Sequence, residues 1–183
     1  MAQLSPQIFK SKSNNEVIIR SAAVEDSRAI LSLSKSVINE EIYQLTSSTE
    51  FKMTIEAEEK WIESHLNNPN YMILVAVINS EIAGILDFTN GRRDRISHTG
   101  EFGMSVAKHF RDQGIGSLLL MSLIEWASKN KAIEKIGLSV HSNNHRAIAL
   151  YKKMGFEIEG VRKRDLKYSN DSYVDTTIMG RFI

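Results

Sequence analysis

Two glycines separated by one residue stand where a strand is predicted to end and a long helix to begin. The chain reads Arg-Asp-Gln-Gly-Ile-Gly over residues 111–116, shortly after the predicted strand ends near Val106. Glycine lets the backbone approach a ligand closely, and the free N–H groups at a helix N-terminus attract anions. The pattern therefore predicts a site that binds a pyrophosphate through backbone N–H groups, without the lysine of a P-loop.

This pattern is weak by itself, because a glycine-eased turn between a strand and a helix explains it more often. No Gly-Lys-Ser or Gly-Lys-Thr follows, so it is not a Walker A loop. Leu119 also replaces the third glycine of the dinucleotide-binding fingerprint. The phosphate hypothesis therefore depends on what accompanies the glycines.

A second motif follows about thirty residues later. Asn144 stands at the N-cap of a predicted helix, Tyr151 follows two turns on, and the helix exits through Gly155-Phe156. The two patterns, RxxGxG and N-x-x-A-x-x-x-Y-x-x-x-G-F, together resemble the GNAT superfamily of acyl-CoA-dependent N-acetyltransferases. The resemblance extends over residues 17–182. It implies an α/β fold with a central mixed sheet flanked by helices, acetyl-CoA as cosubstrate and no metal.

The resemblance assigns roles to the residues of both motifs. The end of the strand before the loop would offer backbone groups to the pantetheine arm and the thioester. Arg111 would either contact the pyrophosphate or neutralise the site. Asn144 would contact the cofactor as well as cap its helix, and Tyr151 would protonate the departing CoA thiolate, unless it is only a core tyrosine. The implied cofactor-binding residues are Met104, Ser105, Val106, Arg111, Asp112, Gln113, Gly114, Ile115, Gly116, Ser117 and Asn144.

Glu101 is the candidate for the base that deprotonates the attacking amine. Some relatives use a glutamate in the strand before the phosphate loop, and Glu101 stands five residues before Val106. Strand alternation places it on one face with Gly103 and Ser105, and we expect it to face a cleft because an unpaired buried carboxylate is costly. A salt bridge to a nearby arginine or lysine is the alternative. The branch that acetylates ribosomal proteins has its base where this chain has Ser139, which does not suit that role.

Hydrophobic periodicity predicts the elements that position these groups. Residues 1–15 lack a sustained period, so a flexible tail is expected before a domain over residues 16–183. Strands are predicted over 17–22, 71–78, 82–90, 98–106, 136–140, 155–167 and 172–182, with Asn170-Asp171 in the last turn. Helices are predicted over 23–43, 56–67, 114–129 and 145–154. This order is typical of one mixed α/β domain.

Composition limits the other classes of function. The chain has 183 residues, 42% hydrophobic and 25% charged, which suits a globular domain. It has no cysteine, which excludes a disulfide framework, a thiolate zinc site and a cysteine nucleophile. The histidines form no HExxH pair, so no metal site is expected. No apolar run reaches the length of a membrane span and no signal sequence is apparent, so we expect a cytoplasmic protein.

Two charged segments have alternative explanations. Arg92, Arg93 and Arg95 form a basic loop without interleaved aromatic residues, which favours a solvated loop over a nucleic-acid site. Residues 40–63 contain seven glutamates and two lysines. If the first two helices shape the acceptor pocket, as in GNAT relatives, this segment favours a cationic amine. A solvated helix face explains it equally well.

The sequence thus predicts an enzyme that transfers the acetyl group of acetyl-CoA to a primary amine by direct attack. The backbone N–H of Val106 would polarise the thioester carbonyl. The acceptor is expected to be a small-molecule amine or a protein N-terminus, with no nucleic-acid or membrane partner. The oligomeric state stays open at this point, and the resemblance is compatible with a homodimer because relatives often form one. A catalytically silent acyl-CoA-binding module, regulatory or interacting, is the alternative.

Overall fold

The computed structural model describes residues 3–40, 42–168 and 171–183. These residues contain eight β-strands and four α-helices. The strands are β1 (Gln7–Lys10), β2 (Glu16–Ser21), β3 (Met72–Ile78), β4 (Glu81–Asn90), β5 (Thr99–Val106), β6 (Lys135–His141), β7 (Glu157–Lys167) and β8 (Tyr173–Phe182). The helices are α1 (Ser27–Ile38), α2 (Ile55–Leu66), α3 (Ile115–Lys129) and α4 (His145–Lys153). The predicted mixed α/β class is confirmed.

All of these strands form one sheet, in the order β1-β2-β3-β4-β5-β6-β8-β7. Neighbouring strands are antiparallel except β5 and β6, which run parallel. This parallel pair extends only over residues 99–101 of β5 and 135–137 of β6. Beyond it β5 stays paired with β4, and β6 with β8, while the two strands separate. We call the resulting gap, between residues 102–106 and 138–141, the fork.

Helices cover both faces of the sheet, and packing against one face fixes the position of α3. Leu119, Leu120 and Leu123 of α3 are fully buried against one face, and Ile30 and Ile62 of α1 and α2 against the other. Because both faces of β3 are covered, its sequence MILVAVI is apolar throughout instead of alternating. Each fully buried leucine stabilises the fold by roughly 1.5–3 kcal/mol relative to an exposed one. The N-terminus of α3 is therefore held firmly.

The N-terminal segment differs from the prediction. Residues 7–10, expected to belong to a flexible tail, form the edge strand β1, which pairs with β2. Gln7 accepts a hydrogen bond from Ser122 Oγ (2.8 Å) and donates one to the Glu125 carboxylate (2.9 Å), both on α3. The tail prediction is wrong here because four residues are too few for an alternation to stand out. The partners of β1 are also distant along the chain.

Smaller differences concern the ends of elements. The helix predicted over 23–43 consists of a 3-10 turn at Val24–Asp26 followed by α1, which ends at Ile38. Asn170, predicted in the last turn, lies outside the described residues, whereas Asp171 has a left-handed φ of 61°, which suits a turn. No described helix is long and apolar enough to cross a membrane.

Candidate active site

A cavity of about 660 Å³ opens at the fork. Its walls come from the separated ends of β5 and β6, from residues 111–117 and from α4. We call residues 111–117 the phosphate loop. Every site residue predicted from the sequence lines this cavity except Gln113 and Glu101. The cavity is large enough for an extended cofactor arm together with a small acceptor.

The phosphate loop presents unpaired N–H groups at the start of α3. Gly114 is the N-cap, with a φ of 89° that side-chain-bearing residues rarely adopt. The Leu118 N–H bonds back to the Gly114 carbonyl (3.1 Å), so the three N–H groups between them have no helical acceptor. A Cβ on Gly116 would lie 3.3 Å from side-chain atoms of Leu150 and Met104. The loop therefore fits a pyrophosphate, which needs close approach to free N–H groups.

Arg111 is already paired within the protein. Its guanidinium donates two hydrogen bonds to the Glu40 carboxylate (2.7 and 2.6 Å), and its Nε donates to the Val106 carbonyl (3.0 Å). Hydrogen bonding to Arg111 lowers the pKa of Glu40. The pair therefore stabilises the fold at pH values above the pKa of a glutamate in the unfolded chain. This contribution is lost as the pH falls through the lower pKa that Glu40 has in the folded protein. Arg111 thus positions the phosphate loop, and the Glu40 carboxylate balances the charge of the guanidinium.

The edge of β5 offers backbone groups to the fork. The N–H of Ala107, the residue after β5, donates to the carbonyl of Ala83 in β4 (2.9 Å). Because hydrogen-bonded pairs alternate along antiparallel strands, Ser105 also directs its backbone at β4. Met104 and Val106 direct theirs into the fork. The sequence predicts backbone contacts from residues 104–106 alike, whereas Ser105 lines the cavity but directs its backbone at β4.

Asn144 caps α4 and lines the same cavity. Its Oδ1 accepts the N–H of Ala147 at 3.2 Å. Since the cap uses only the oxygen, the side-chain NH₂ group remains available to a ligand in the cavity. The two roles considered for this residue are therefore compatible.

Tyr151 combines a buried ring with access to the cavity. It is 8% exposed, and its ring packs edge-on against Phe102 at a centroid distance of 5.6 Å. Burial raises the pKa of Tyr151 to about 12, so the phenol keeps its proton at neutral pH. Its hydroxyl has no hydrogen-bond partner in the part of the chain that the structure describes. The residue can therefore donate a proton or a hydrogen bond to a ligand atom.

Glu101 does not line the cavity with Tyr151. Its side chain is exposed, and its Cγ lies 3.5 Å from the position that a Cβ on Gly137 would occupy, where the fork begins. Gly103, on the same strand face, does line the cavity and is roughly 7 Å further along β5. Glu101 forms no ion pair with any described residue, so the salt-bridge alternative is not observed.

A row of polar side chains lies on the sheet face opposite α3. His141, Thr176 and Arg162 stand directly opposite one another on β6, β8 and β7, and all three line the cavity. Burial lowers the pKa of His141, whose Nδ1 lies 3.0 Å from Tyr168 Oη. The buried Thr176 Oγ1 has no hydrogen-bond partner among the described residues. Arg162 lies 3.7 Å from the Asp165 carboxylate. We call His141, Thr176 and Arg162 the acceptor row.

The acidic segment contributes little to the cavity. Within the described part of residues 40–63, Glu40 is the one acidic side chain in the wall, and it is paired with Arg111. Glu58 is buried elsewhere, where burial and the nearby Asp87 raise its pKa. Burial also raises the pKa of Asp87 to about 6. The described part of this segment therefore does not form an acidic acceptor lining.

Comparison with known proteins decides the family. The model of the acetyltransferase (GNAT) family matches residues 39–156, which contain the phosphate loop and Tyr151. The chain belongs to the GNAT family. This GNAT enzyme is 32% identical over 169 residues to the L-amino acid N-acetyltransferase of Escherichia coli, covering 91% of the chain and 98% of the relative. The enzyme is an acetyl-CoA-dependent N-acetyltransferase.

Further relatives agree with this assignment. The GNAT enzyme is 28% identical over 145 residues to the L-methionine sulfoximine/L-methionine sulfone acetyltransferase of Pseudomonas aeruginosa, covering 78% of the chain and 81% of the relative. A GNAT acetyltransferase from Streptococcus pneumoniae superposes with a TM-score of 0.88 at 30% identity, over 91% and 99% of the two chains. A Salmonella typhimurium protein solved with its cofactor acetyl-CoA shares the fold, with a TM-score of 0.81 at 20% identity over 91% and 93%.

The cavity of this GNAT enzyme fits acetyl-CoA in each of its parts. The phosphate loop suits the pyrophosphate, and the backbone groups of Met104 and Val106 suit the amides of the pantetheine arm. Tyr151, whose phenol keeps its proton at neutral pH, lines the same cavity. The described residues contain no group of three or more side chains that could hold a metal ion.

Proposed function

We propose that the enzyme acetylates the α-amino group of free amino acids by direct attack of the amine on acetyl-CoA. The observation that carries this proposal is Arg162, a cation in the cavity wall beside the unpartnered hydroxyl of Thr176. A guanidinium binds a carboxylate with two parallel hydrogen bonds, and a buried hydroxyl gains from a further acceptor. The similarity to an L-amino acid N-acetyltransferase supports the same acceptor class.

The ion pair between Arg162 and Asp165 is compatible with this role. Its N···O distance of 3.7 Å is long, and the side chains are 56% and 32% exposed. Such a pair contributes little, so a substrate carboxylate can replace Asp165 on the guanidinium at small cost. The neutral His141 beside this position adds a hydrogen-bonding group without a competing charge.

We propose the following roles for the remaining groups. Acetyl-CoA supplies the thioester, and the N–H groups of Met104 and Val106 hold the pantetheine arm and polarise the thioester carbonyl. Glu101 draws the proton from the amine through water, and Tyr151 protonates the departing thiolate. The loss of hydration that raises the pKa of Tyr151 also makes a nearby thiolate more basic, so the two effects on the proton transfer offset each other.

An acceptor panel tests the substrate class. With free-thiol release as the readout, we expect α-amino acids to exceed their decarboxylated amines in kcat/KM by about a hundredfold. Arg162→Gln should abolish most of this preference and leave the activity on the decarboxylated amines unchanged. Lys163→Gln, a neighbouring cation that is 79% exposed, is the matched control and should keep the preference. Equal activity on both acceptor types, or activity only on peptide N-termini, would contradict the proposal.

The proposed base predicts a pH-dependent defect. Glu101→Gln keeps the shape of the side chain and removes its charge, so the rate at neutral pH should fall about a hundredfold. The rate should recover partly at high pH, where free amine is abundant. A pH–rate profile with one active amino acid measures this. Parallel profiles for the wild type and the variant would show that Glu101 does not take the proton.

We also propose a cytoplasmic location, where acetyl-CoA and free amino acids occur together, and a homodimer. The edge strand β7 supports the dimer, because its side chains Ile158 and Val161 are 49% and 45% exposed. The molecular mass in solution, measured by light scattering, tests it.

A further inference from the structure

The cations in the cavity wall are paired with one exception. The wall contains four lysine or arginine side chains, Lys12, Arg111, Arg146 and Arg162. Each arginine has an acidic partner: Glu40 for Arg111, Asp112 for Arg146 (3.1 Å) and Asp165 for Arg162. Lys12 has no ion-pair partner among the described residues. It is therefore the cation of this wall that has no ion pair to break before it binds a negatively charged ligand.

Lys12 is fixed beside the phosphate loop by its backbone. It lies in the turn between β1 and β2, and its N–H donates to the Gln113 carbonyl at 3.0 Å. Its Cγ lies 3.8 Å from the position that a Cβ on Gly114 would occupy. The turn is closed by Ser11, whose N–H donates to the Asn15 carbonyl (2.9 Å) and whose Oγ accepts the Asn15 N–H (3.1 Å). The ammonium group is therefore held within one side-chain length of the α3 N-terminus.

Backbone groups alone leave much of the charge of a pyrophosphate unbalanced. A helix N-terminus provides the equivalent of about half an elementary charge, whereas the diphosphate of CoA carries two. The Arg111 guanidinium forms two hydrogen bonds with the Glu40 carboxylate, so it does not supply the missing charge. Lys12 lies beside the loop and can supply this charge without breaking an ion pair.

We propose that Lys12 binds the diphosphate of CoA, so that the N-terminal hairpin of β1 and β2 forms part of the cofactor site. The hairpin places a side chain at the phosphate loop from a segment about a hundred residues away in the sequence. The short distance between the Lys12 side chain and Gly114 favours the diphosphate over the 3′-phosphate, because Gly114 is the N-cap of α3, where the diphosphate is expected to bind.

Calorimetric titration of the purified enzyme with CoA and with dephospho-CoA tests the proposal. Lys12→Gln should raise the Kd of both ligands by roughly tenfold, the effect of one charge-assisted hydrogen bond. The dependence of the Kd on salt should become less steep, and Lys12→Arg should restore most of the affinity. Lys10→Gln, an exposed lysine on the same hairpin, is the matched control and should leave both Kd values unchanged.

Two results would overturn the proposal. An unchanged Kd for both ligands would show that Lys12 does not contact the cofactor. A loss confined to CoA, with dephospho-CoA unaffected, would assign Lys12 to the 3′-phosphate instead. The thermal midpoint should stay the same in Lys12→Gln, which separates a lost contact from an unfolded hairpin. Because ligand binding is measured without an acceptor, the result does not depend on the proposed amino-acid substrate.

Discussion

Replacing Tyr151 by phenylalanine is expected to lower kcat by two to three orders of magnitude, on the order of the contribution of a general acid. The Kd of acetyl-CoA should change by less than about threefold, because the ring and its contact with Phe102 survive the change. Burial raises the pKa of Tyr151 to about 12, so the wild type should not lose this proton donor below about pH 11.

Steady-state thiol release and calorimetric binding, measured on the same preparation, give the two quantities. Tyr71→Phe is the matched control, because Tyr71 is a partly buried tyrosine that does not line the cavity. A normal kcat in Tyr151→Phe would show that the tyrosine only packs in the core. An equal loss of binding and turnover would show that its hydroxyl holds the cofactor instead of donating a proton.

Gly116→Val is expected to weaken CoA binding more than a hundredfold. The Cβ would already lie 3.3 Å from Leu150 and Met104, and the two methyl groups would occupy the space above the free N–H groups of α3. Because the obstructing atoms are the ends of flexible side chains, the fold should adapt with a small loss of stability. Calorimetric titration with CoA, accompanied by thermal unfolding, measures both effects.

Gly160→Val on β7 provides the control for this substitution. Nothing lies within 4 Å of a Cβ at Gly160, so the valine should fit without affecting the cavity. If Gly116→Val bound CoA with near-native affinity, the phosphate loop would not be the pyrophosphate site. If it failed to fold, Gly116→Ala would test the same contact with a single added methyl group.

Local patterns were sufficient to predict the fold and one half of the site. The glycines of the phosphate loop, the cap at Asn144 and the apolar run of β3 each reflect neighbours along the chain. These features follow from helix capping, glycine conformation and burial on both faces, which act within a few residues. The match between the predicted and observed elements from residue 16 onwards has this origin.

The other half of the site depends on contacts between distant segments. The acceptor row exists because β6, β8 and β7 pair in one register, which their separate sequences do not specify. Arg111 and Glu40 are 71 residues apart, so their pairing was not apparent and a phosphate contact was left open. The sequence places Lys12 in a flexible tail, because its contact with the phosphate loop joins segments about a hundred residues apart. The position of Glu101 outside the cavity likewise depends on where the parallel pair ends.

The fork leaves only a short parallel pair to join two pieces of the sheet. Strands β1–β5 and β6–β8 are joined through only three residue pairs, and each piece is nearly continuous in sequence. We therefore expect the segment that contains β6, α4, β7 and β8 to unfold locally as one unit, with a lower opening free energy than the remainder. Its amides should exchange with solvent faster than those of β3. A cofactor that spans the fork contacts both pieces, so it should slow exchange throughout this segment, well beyond the residues it touches.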